Sequence, residues 1–311
     1  MQPSRRAVID VGTNSVKLLI ADVIGREVRP VWEGSRQTRL GRGFYSNHHL
    51  QSGPIVETAQ AVADFFKKAG EEKAQAIRVI ATSAVRDAVN GGELTTAINK
   101  ASDCVVEVIS GEQEADWAFV GVTTDQALAS VPLWLVEVGG GSSQFILGHR
   151  DHIEFRHSFP LGTVRLLEKL PHSNPPRPQE LKECRRMVRE FLETDARRRI
   201  DAVASRKNTA CLVGTGGTAS ILGCLEARLT TFDRHRLETT RVSRGALNEW
   251  AEKLWGMPVS ERQQLPGLPP NRADVILTGA VVYEQVLEVF QFTELRISTR
   301  GVRFGALLTL A

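Results

Sequence analysis

The chain has 311 residues, 42% of them hydrophobic, which suits two globular domains that each bury a core. The formal net charge of +3 is too small to require a nucleic-acid partner, although it would not repel a polyanionic substrate. No uncharged apolar run is long enough to span a membrane, and Asp10 interrupts the first apolar segment too early for a signal peptide. Four cysteines without CxxC spacing predict reduced thiols in a cytoplasmic protein.

The first half of the chain alternates apolar runs with amphipathic segments. It opens with a predicted hairpin over residues 7–23, whose apolar positions lack polar alternation, as expected of buried central strands. The elements predicted after it are strands at 27–32 and 36–40, a helix capped by Ser52 that ends before Gly70, a strand at 77–81, a helix over 92–102 and a strand at 105–109. Strands that alternate with helices indicate α/β layers.

A polar stretch, TTDQALASVP, is the predicted boundary between domains at 1–124 and 125–311, and the last turn or helix could pack back on the first domain. The elements predicted after the boundary are a second hairpin over 133–148, a long helix over 180–206, a strand at 210–214, a helix to 225, a helix capped by Ser243 that reaches 255, a buried helix over 271–290, a strand at 294–298 and a terminal helix or turn from 302. The arginine-rich face of the long helix could follow a polyanion, but interleaved acids favour an ordinary solvated face.

Both hairpins carry a carboxylate, then a glycine turn, then serine. The aligned pairs are Asp10 with Glu137, Gly12 with Gly139 and Ser15 with Ser142. Glycine turns expose backbone N–H groups and the hydroxyls add donors, which favours phosphate binding over purely structural hairpins. The predicted phosphate-binding residues are Thr13, Asn14 and Ser15 in the first turn and Gly140, Gly141, Ser142 and Ser143 in the second.

Carboxylates repel phosphate, so Asp10 and Glu137 need a reason to lie beside these turns. A divalent metal, Mg²⁺ held partly through water, would supply one; the alternative is that each acid only hydrogen-bonds its own turn. A third glycine turn, with Gly216, Gly217 and Thr218, could bind another phosphate at a helix N-terminus. The same segment, with Asp233, matches a dinucleotide fingerprint, but this single match leaves both hairpins unexplained.

Two other charged residues admit a structural and a functional interpretation. Glu114 and Glu112 open a helix where Ser110 and Gln113 have capping-box spacing, yet one of the acids could be a general base that activates water. Arg86 follows a strand end and could neutralise a transferring phosphoryl group or pair with a neighbouring acid. The residues alone leave both alternatives open.

Taken together, eight stretches of the chain resemble the exopolyphosphatase and guanosine pentaphosphate phosphohydrolase family in order and spacing: VIDVGTNSVKLLIADV, ATSAVRDAVN, ISGEQEADWAFVGV, VEVGGGSSQFILG, SFPLGTVRLLE, VGTGGTASIL, NRADVILTGAVV and STRGVRFGAL. The resemblance implies an α/β protein with two similar domains of the actin-like ATPase fold, shared with sugar kinases, and an active site in the cleft between them. It implies that Glu114 activates water, that Arg86 binds phosphate, and that Glu137 replaces an aspartate linked to metal and catalysis.

The chain departs from the family at four positions. The family usually has aspartate at Glu137, threonine at Ser143 and glutamate at Gln144, and commonly glutamate at Phe304. The extra methylene of glutamate shifts a carboxylate by roughly 1.5 Å, and a misplacement of about 1 Å can cost on the order of a hundredfold in rate.

The expected function is therefore Mg²⁺-dependent release of terminal orthophosphate from inorganic polyphosphate, a phosphoanhydride hydrolysis. There are two alternatives: the chain hydrolyses guanosine pentaphosphate to tetraphosphate, or it is a weakly active phosphate or nucleotide sensor. A sugar kinase on the same fold is less favoured. We expect no nucleic-acid or membrane partner, and a homodimer is left open.

Overall fold

The computed structural model describes residues 2–203 and 210–310. The chain divides into two compact units, Met1–Gln126 with Arg300–Ala311 and Ala127–Thr299. The end of the predicted long helix, at 204–206, lies outside the described residues. Within those residues, every helix is too short or too polar to cross a lipid bilayer.

The first unit contains one mixed sheet made of β1 (Ser4–Val11), β2 (Ser15–Ile24), β3 (Glu27–Gln37), β4 (Ala76–Ala81) and β5 (Val106–Val108). The order is β3-β2-β1-β4-β5, with β1–β2 and β2–β3 antiparallel and β1–β4 and β4–β5 parallel. Its helices in the first part of the chain are α1 (Ser52–Glu71), α2 (Ser83–Arg86), α3 (Gly91–Ser102) and α4 (Gly111–Val122). The apolar face of α1 packs on the buried residues of β1 and β2, and α3 packs on α1.

The second unit contains a sheet made of β6 (Leu133–Val138), β7 (Ser143–His149), β8 (His152–Phe159), β9 (Cys211–Thr215), β10 (Arg241–Ser243) and β11 (Glu294–Ile297), in the order β10-β11-β9-β6-β7-β8. The helices that follow α4 are α5 (Gln126–Ala129) at the junction and then α6 (Thr163–Lys169), α7 (Pro178–Phe191), α8 (Arg197–Asp201), α9 (Gly216–Glu226), α10 (Arg234–Thr239), α11 (Arg244–Gly256), α12 (Val259–Arg262) and α13 (Ile276–Val289). The apolar core of this unit includes nearly the whole surface of α13.

The two sheets share one topology. Strands β8, β7, β6, β9 and β11 repeat the order and directions of β3, β2, β1, β4 and β5, while β10 adds an antiparallel edge strand. The hairpins also agree in register, since Val11 pairs with Val16 in the first and Val138 with Ser143 in the second. The internal repeat predicted from the sequence is confirmed.

The last helix, α14 (Val302–Leu308), belongs to the first unit and packs on α4. A Cβ atom at Gly305 would lie 2.0 Å from the carbonyl oxygen of Trp117, so only glycine permits this approach. Arg6 and Arg78 donate to the carbonyl oxygens of Leu307 and Ala306, each at 3.0 Å, where the helix dipole favours cations. This packing fixes the helix that carries Glu114.

Several predicted boundaries are wrong. The strand predicted at 27–32 continues to Gln37 as β3, so the predicted break at 33–35 is absent, and residues 38–40 of the second predicted strand lie outside β3. A Cβ atom at Gly34 would be 2.2 Å from the ring of Trp32. Gly34 therefore admits the ring and does not break the strand. Ser52 is the first residue of α1, preceded by Gln51, and makes no side-chain cap. The segment predicted as one helix over 271–290 begins with a short 3₁₀ turn, Pro270–Arg272, before α13.

The long helix predicted over 180–206 is interrupted by a π-helical segment, Leu192–Ala196, between α7 and α8. The arginines of α7 are paired with acids. Arg186 lies on the predicted solvated face, whereas the side chain of Arg185 is 25% exposed and pairs with the buried Glu284 of α13. Arg185 contacts Glu284 at 2.6 Å, Arg186 contacts Glu183 at 2.7 Å, and Arg189 contacts Glu288.

Candidate active site

In the first unit, the predicted site residues follow the carboxyl ends of the parallel strands. Asp10 is next to last in β1, Arg86 ends the short helix after β4, and Glu114 lies in the first turns of the helix after β5. Backbone hydrogen bonds join these strand ends. The N–H of Thr82 donates to the carbonyl of Val11 (3.2 Å), and the N–H of Ile109 donates to the carbonyl of Ala81 (3.0 Å). Ligands of α/β sheets bind at this edge.

The first glycine turn is held from behind by the loop that follows β3. Its base closes through the N–H of Gly12 on the carbonyl of Ser15, at 3.1 Å. The N–H of Gly41 donates to the carbonyl of Thr13 at 2.7 Å, and the N–H of Arg39 donates to that of Asn14 at 3.1 Å. Because N–H and C=O point in opposite directions across a trans peptide, the N–H groups of Asn14 and Ser15 face away from this loop.

The second glycine turn is held in the same way by the start of α6. The N–H of Gly139 donates to the carbonyl of Ser142 at 2.9 Å and closes the base. The carbonyl of Gly139 accepts from the N–H of Thr163 (2.9 Å), and the carbonyl of Gly140 accepts from Val164 (2.9 Å) and Arg165 (3.2 Å). A Cβ atom at Gly162 would lie 2.4 Å from the Gly140 oxygen, so this close approach requires glycine.

These carbonyl bonds decide where the N–H groups of the second turn point. The N–H groups of Gly140 and Gly141 are directed away from α6, opposite to the carbonyls that α6 binds. Neither group has a hydrogen-bond acceptor in the part of the chain that the structure describes. Consecutive N–H groups on one side of a turn form an anion-binding concavity. The local geometry is therefore that of a phosphate cradle.

The hydroxyls of the two serines in the second turn make different hydrogen bonds. The hydroxyl of Ser143, a fully buried residue, donates to the carbonyl of Leu161, so its proton supports the turn. The hydroxyl of Ser142 lies 3.0 Å from the amide nitrogen of Gln144, which is also 3.0 Å from the hydroxyl of Ser158. Gln144 pairs across the sheet with Glu137 on one side and Ser158 on the other.

The third glycine turn lies directly against Glu137. Gly216 begins α9 with φ +83°, and a Cβ atom there would be 2.8 Å from Oε1 of Glu137. Glu137 also pairs with Thr215 at the end of β9. Below it, burial and the negative charge of Glu137 raise the pKa of Tyr283, whose hydroxyl donates to the carbonyls of Val136 (3.0 Å) and Thr215 (3.2 Å). The structure thus brings Glu137, the second turn and the third turn together.

The side chains of the third turn do not favour a dinucleotide. Asp233 caps α10, since its Oδ1 accepts from the N–H of Arg236 at 3.1 Å. The hydroxyl of Thr218 donates to the carbonyl of Val138 at 2.9 Å, which leaves the backbone N–H groups at the start of α9, from Gly216 and Gly217, as the donors that a phosphate could use.

Arg86 and Glu114 form an ion pair. Nη1 of Arg86 lies 3.2 Å from Oε2 of Glu114 and 3.0 Å from the carbonyl of Ile109, while its Nε lies 3.7 Å from Asp87. The side chain of Glu114 is only 10% exposed. Ser110 does cap α4, accepting from the N–H of Gln113, but the side chain of Gln113 turns to Glu107, so the reciprocal half of the capping box is not formed. Glu114 therefore has a partner that orients it and a small accessible surface.

The sequence predicts Asp10 and Glu137 as ligands of Mg²⁺. Over residues 2–203 and 210–310, no three His, Cys, Asp or Glu side chains group closely enough to hold a metal ion. Mg²⁺ usually keeps several waters and binds one or two carboxylates together with substrate phosphates. Asp10 and Glu137 are each half-buried beside a glycine turn, and a carboxylate in such a position fits a cation of that kind.

Comparison with known proteins agrees with this geometry. Residues 19–311 match the sequence model of the Ppx/GppA phosphatase family. The chain belongs to the Ppx/GppA phosphatase family. Exopolyphosphatase 2 of Mycobacterium tuberculosis is 34% identical over 324 aligned positions, which cover 100% of both chains. Membership confirms the predicted family and the predicted enzyme class, a phosphoanhydride hydrolase of the exopolyphosphatase or guanosine pentaphosphate type.

Solved structures of Ppx/GppA proteins share the fold. An exopolyphosphatase from Cytophaga hutchinsonii superimposes with a TM-score of 0.88 at 25% identity, covering 98% of this chain and 97% of its own. The Aquifex aeolicus family member gives a TM-score of 0.80 at 28% identity, covering 99% and 97%. The predicted fold class, two similar α/β domains of the actin-like ATPase fold, is confirmed.

Sequence reasoning missed the residues that hold the turns from behind, Gly41, Gly162, Thr163 and Arg165. For Gly162, Thr163 and Arg165 the signal was the motif SFPLGTVRLLE, which carries the family resemblance but contains no acid or base with an evident role. Its glycine is needed for close packing, and its arginine contacts the turn directly, with Nε 2.9 Å from the carbonyl oxygen of Gly141.

Proposed function

We propose that this chain is a Mg²⁺-dependent exopolyphosphatase that removes terminal orthophosphate from inorganic polyphosphate. The observation that carries the proposal is the matched pair of glycine turns, each with its carbonyls bound from behind so that successive N–H groups point away from the supporting segment. A full-length relative named as an exopolyphosphatase supports the choice of substrate.

In the proposed reaction, each glycine turn binds phosphoryl oxygens of the substrate. The N–H group of Asn14 in the first turn and those of Gly140 and Gly141 in the second would donate to phosphoryl oxygens, and the start of α9 would bind a further phosphoryl group. Phosphoryl transfer needs little covalent chemistry from the protein, so holding the phosphorus in line between water and leaving oxygen provides most of the catalysis.

Glu114 is the proposed base. Its carboxylate would accept a hydrogen bond from the attacking water and then the water's proton, while Arg86 keeps the carboxylate in one orientation through the 3.2 Å contact. The remaining N–H groups of the Arg86 guanidinium would stabilise charge on the equatorial oxygens. Mg²⁺ would neutralise part of the phosphate charge, and Asp10 and Glu137 are the proposed metal-binding carboxylates.

The proposal is tested by measuring orthophosphate release from long-chain polyphosphate with Mg²⁺. We expect Glu114→Gln to lower kcat by about a hundredfold or more. Glu112→Gln is the matched control, because Glu112 is an exposed acid in the same first turn of α4. Equal rates for Glu114→Gln and wild type would remove Glu114 from the mechanism. Turnover of guanosine pentaphosphate, measured in parallel, decides between the two substrates of the family.

A weakly active phosphate or nucleotide sensor is the second candidate, favoured by the position of Glu137. The longer carboxylate is confined against Gly216, and the neighbouring Gln144 is neutral where the family usually has an acid. Tight binding of tripolyphosphate without turnover, and turnover gained in Glu137→Asp, would support this candidate over the enzyme.

We further infer a cytoplasmic location from the cysteines. Cys104, Cys184, Cys211 and Cys224 are free thiols, and burial raises the pKa of Cys184 to about 12, so this thiol is inert. Cell fractionation followed by immunodetection tests the location; recovery with an oxidising compartment would contradict it.

A further inference from the structure

We propose that Arg165 is the positioning residue of the second glycine turn, and that its guanidinium sets the direction of the N–H of Ser142. Three consecutive carbonyls of this turn are bound from the start of α6. The carbonyls of Gly139 and Gly140 are bound by backbone N–H groups, but the carbonyl of Gly141 is bound by a side chain, Nε of Arg165, at 2.9 Å.

The peptide between Gly141 and Ser142 needs this contact. Glycine has no Cβ atom to restrict its backbone, so a peptide that follows glycine changes orientation at low cost. If this peptide turned over, the carbonyl of Gly141 would replace the N–H of Ser142 on the ligand side. A carbonyl oxygen repels phosphate, so one such change both removes a donor and adds an unfavourable charge contact.

The positive charge of Arg165 strengthens its hydrogen bond to the carbonyl of Gly141. A guanidinium stays ionised at every physiological pH, and a charge-assisted hydrogen bond to a carbonyl is stronger than a neutral one. Hydrogen bonding to the carbonyl polarises the peptide and makes its N–H a better donor to the ligand. Because Gly141 and Ser142 are buried, water competes little with either bond.

This inference rests on the proposed function, because it assumes that the second turn binds a phosphoryl group. Its test uses two methionine variants of the full chain, Arg165→Met and Arg197→Met. Arg197 is the matched control, since it is also a half-buried arginine that donates to a backbone carbonyl, that of Val289, but on α8. Both variants are also compared by thermal unfolding.

Two measurements follow. The Kd for inorganic tripolyphosphate is measured by calorimetry in a Glu114→Gln background, so that the probe is not consumed, and kcat and KM are measured for polyphosphate in the otherwise unaltered chain. For Arg165→Met we expect Kd and KM to rise about tenfold with kcat within about threefold, as for loss of ground-state binding. Arg197→Met should leave Kd and KM within about twofold of their values in the chain with Arg197. Guanidinium chloride at millimolar concentration should restore affinity to Arg165→Ala and should leave the affinity of Arg197→Ala unchanged.

The outcomes distinguish the proposed function from the proposed role of Arg165. Wild type that binds tripolyphosphate but releases no orthophosphate contradicts the proposed function, and the Kd comparison still decides the role of Arg165. Unchanged Kd in Arg165→Met, or an equal loss in Arg197→Met, would overturn the inference, since the effect would then be absent or merely one of stability. Absence of tripolyphosphate binding in the Glu114→Gln protein and of hydrolysis in wild type would overturn both.

Discussion

Gly216 offers the sharpest test of how Glu137 is placed. Its φ of +83° is a left-handed conformation, and a Cβ atom would lie 2.8 Å from Oε1, 3.1 Å from Cγ and 3.3 Å from Cδ of Glu137. Gly216→Ala should therefore cost about 1–2 kcal/mol in backbone strain and also push the Glu137 carboxylate away. A displacement of about 1 Å in a catalytic constellation lowers the rate on the order of a hundredfold.

Gly25 provides the matched control. It also has a left-handed φ, +58°, but a Cβ atom there would meet nothing within 4 Å. Gly25→Ala should show a similar loss of unfolding free energy in urea, about 1 kcal/mol, with kcat/KM for polyphosphate unchanged. Adding Glu137→Asp to Gly216→Ala should restore part of the activity, because the shorter side chain leaves room for the methyl group. Equal kcat/KM values for Gly216→Ala and Gly25→Ala would refute the claim that the third turn positions Glu137.

Three further predictions concern stability and metal. Arg185→Met should lower the free energy of unfolding by about 3 kcal/mol, because Glu284 is buried and would lose its ion-pair partner, and Arg185→Met with Glu284→Met should recover most of that loss in urea titrations. Backbone hydrogen bonds at the start of α7 lower the pKa of Glu180 to about 2, so its contribution is complete above its ordinary value of 4.5 and is lost as the pH falls toward 2. The difference in urea midpoint between wild type and Glu180→Gln should thus shrink over that range, and a constant difference would contradict the assignment. Removal of divalent cations with EDTA should abolish orthophosphate release and added Mg²⁺ should restore it; full activity in EDTA would exclude the proposed role of Mg²⁺.

The parts of the fold that the sequence predicts well are those encoded locally. Both hairpins carry their carboxylate, glycine and serine within a few positions, so their duplication is visible in the sequence and the registers agree. Ser110 and Ser243 cap α4 and α11 as their spacing predicts. The predicted break between the strands at 27–32 and 36–40 is wrong, because β3 runs through Gly34, which leaves room for the ring of Trp32.

The parts that local sequence does not encode are contacts between distant segments. Nothing in the spacing of Arg86 and Glu114 predicts that they form an ion pair, because the contact depends on β4 and β5 being parallel neighbours. Likewise, Ser143 has the same local environment in the sequence as Ser142, yet its hydroxyl binds the carbonyl of Leu161. The role of Arg165 depends on α6 lying behind the second turn, which only the tertiary structure shows.

The account depends most on the glycine turns being phosphate-binding sites. A crystal structure of Glu114→Gln with tripolyphosphate tests this directly. We expect phosphoryl oxygens within about 3 Å of the N–H groups of Gly140 and Gly141. Tripolyphosphate bound at a site that contacts neither glycine turn would contradict the account.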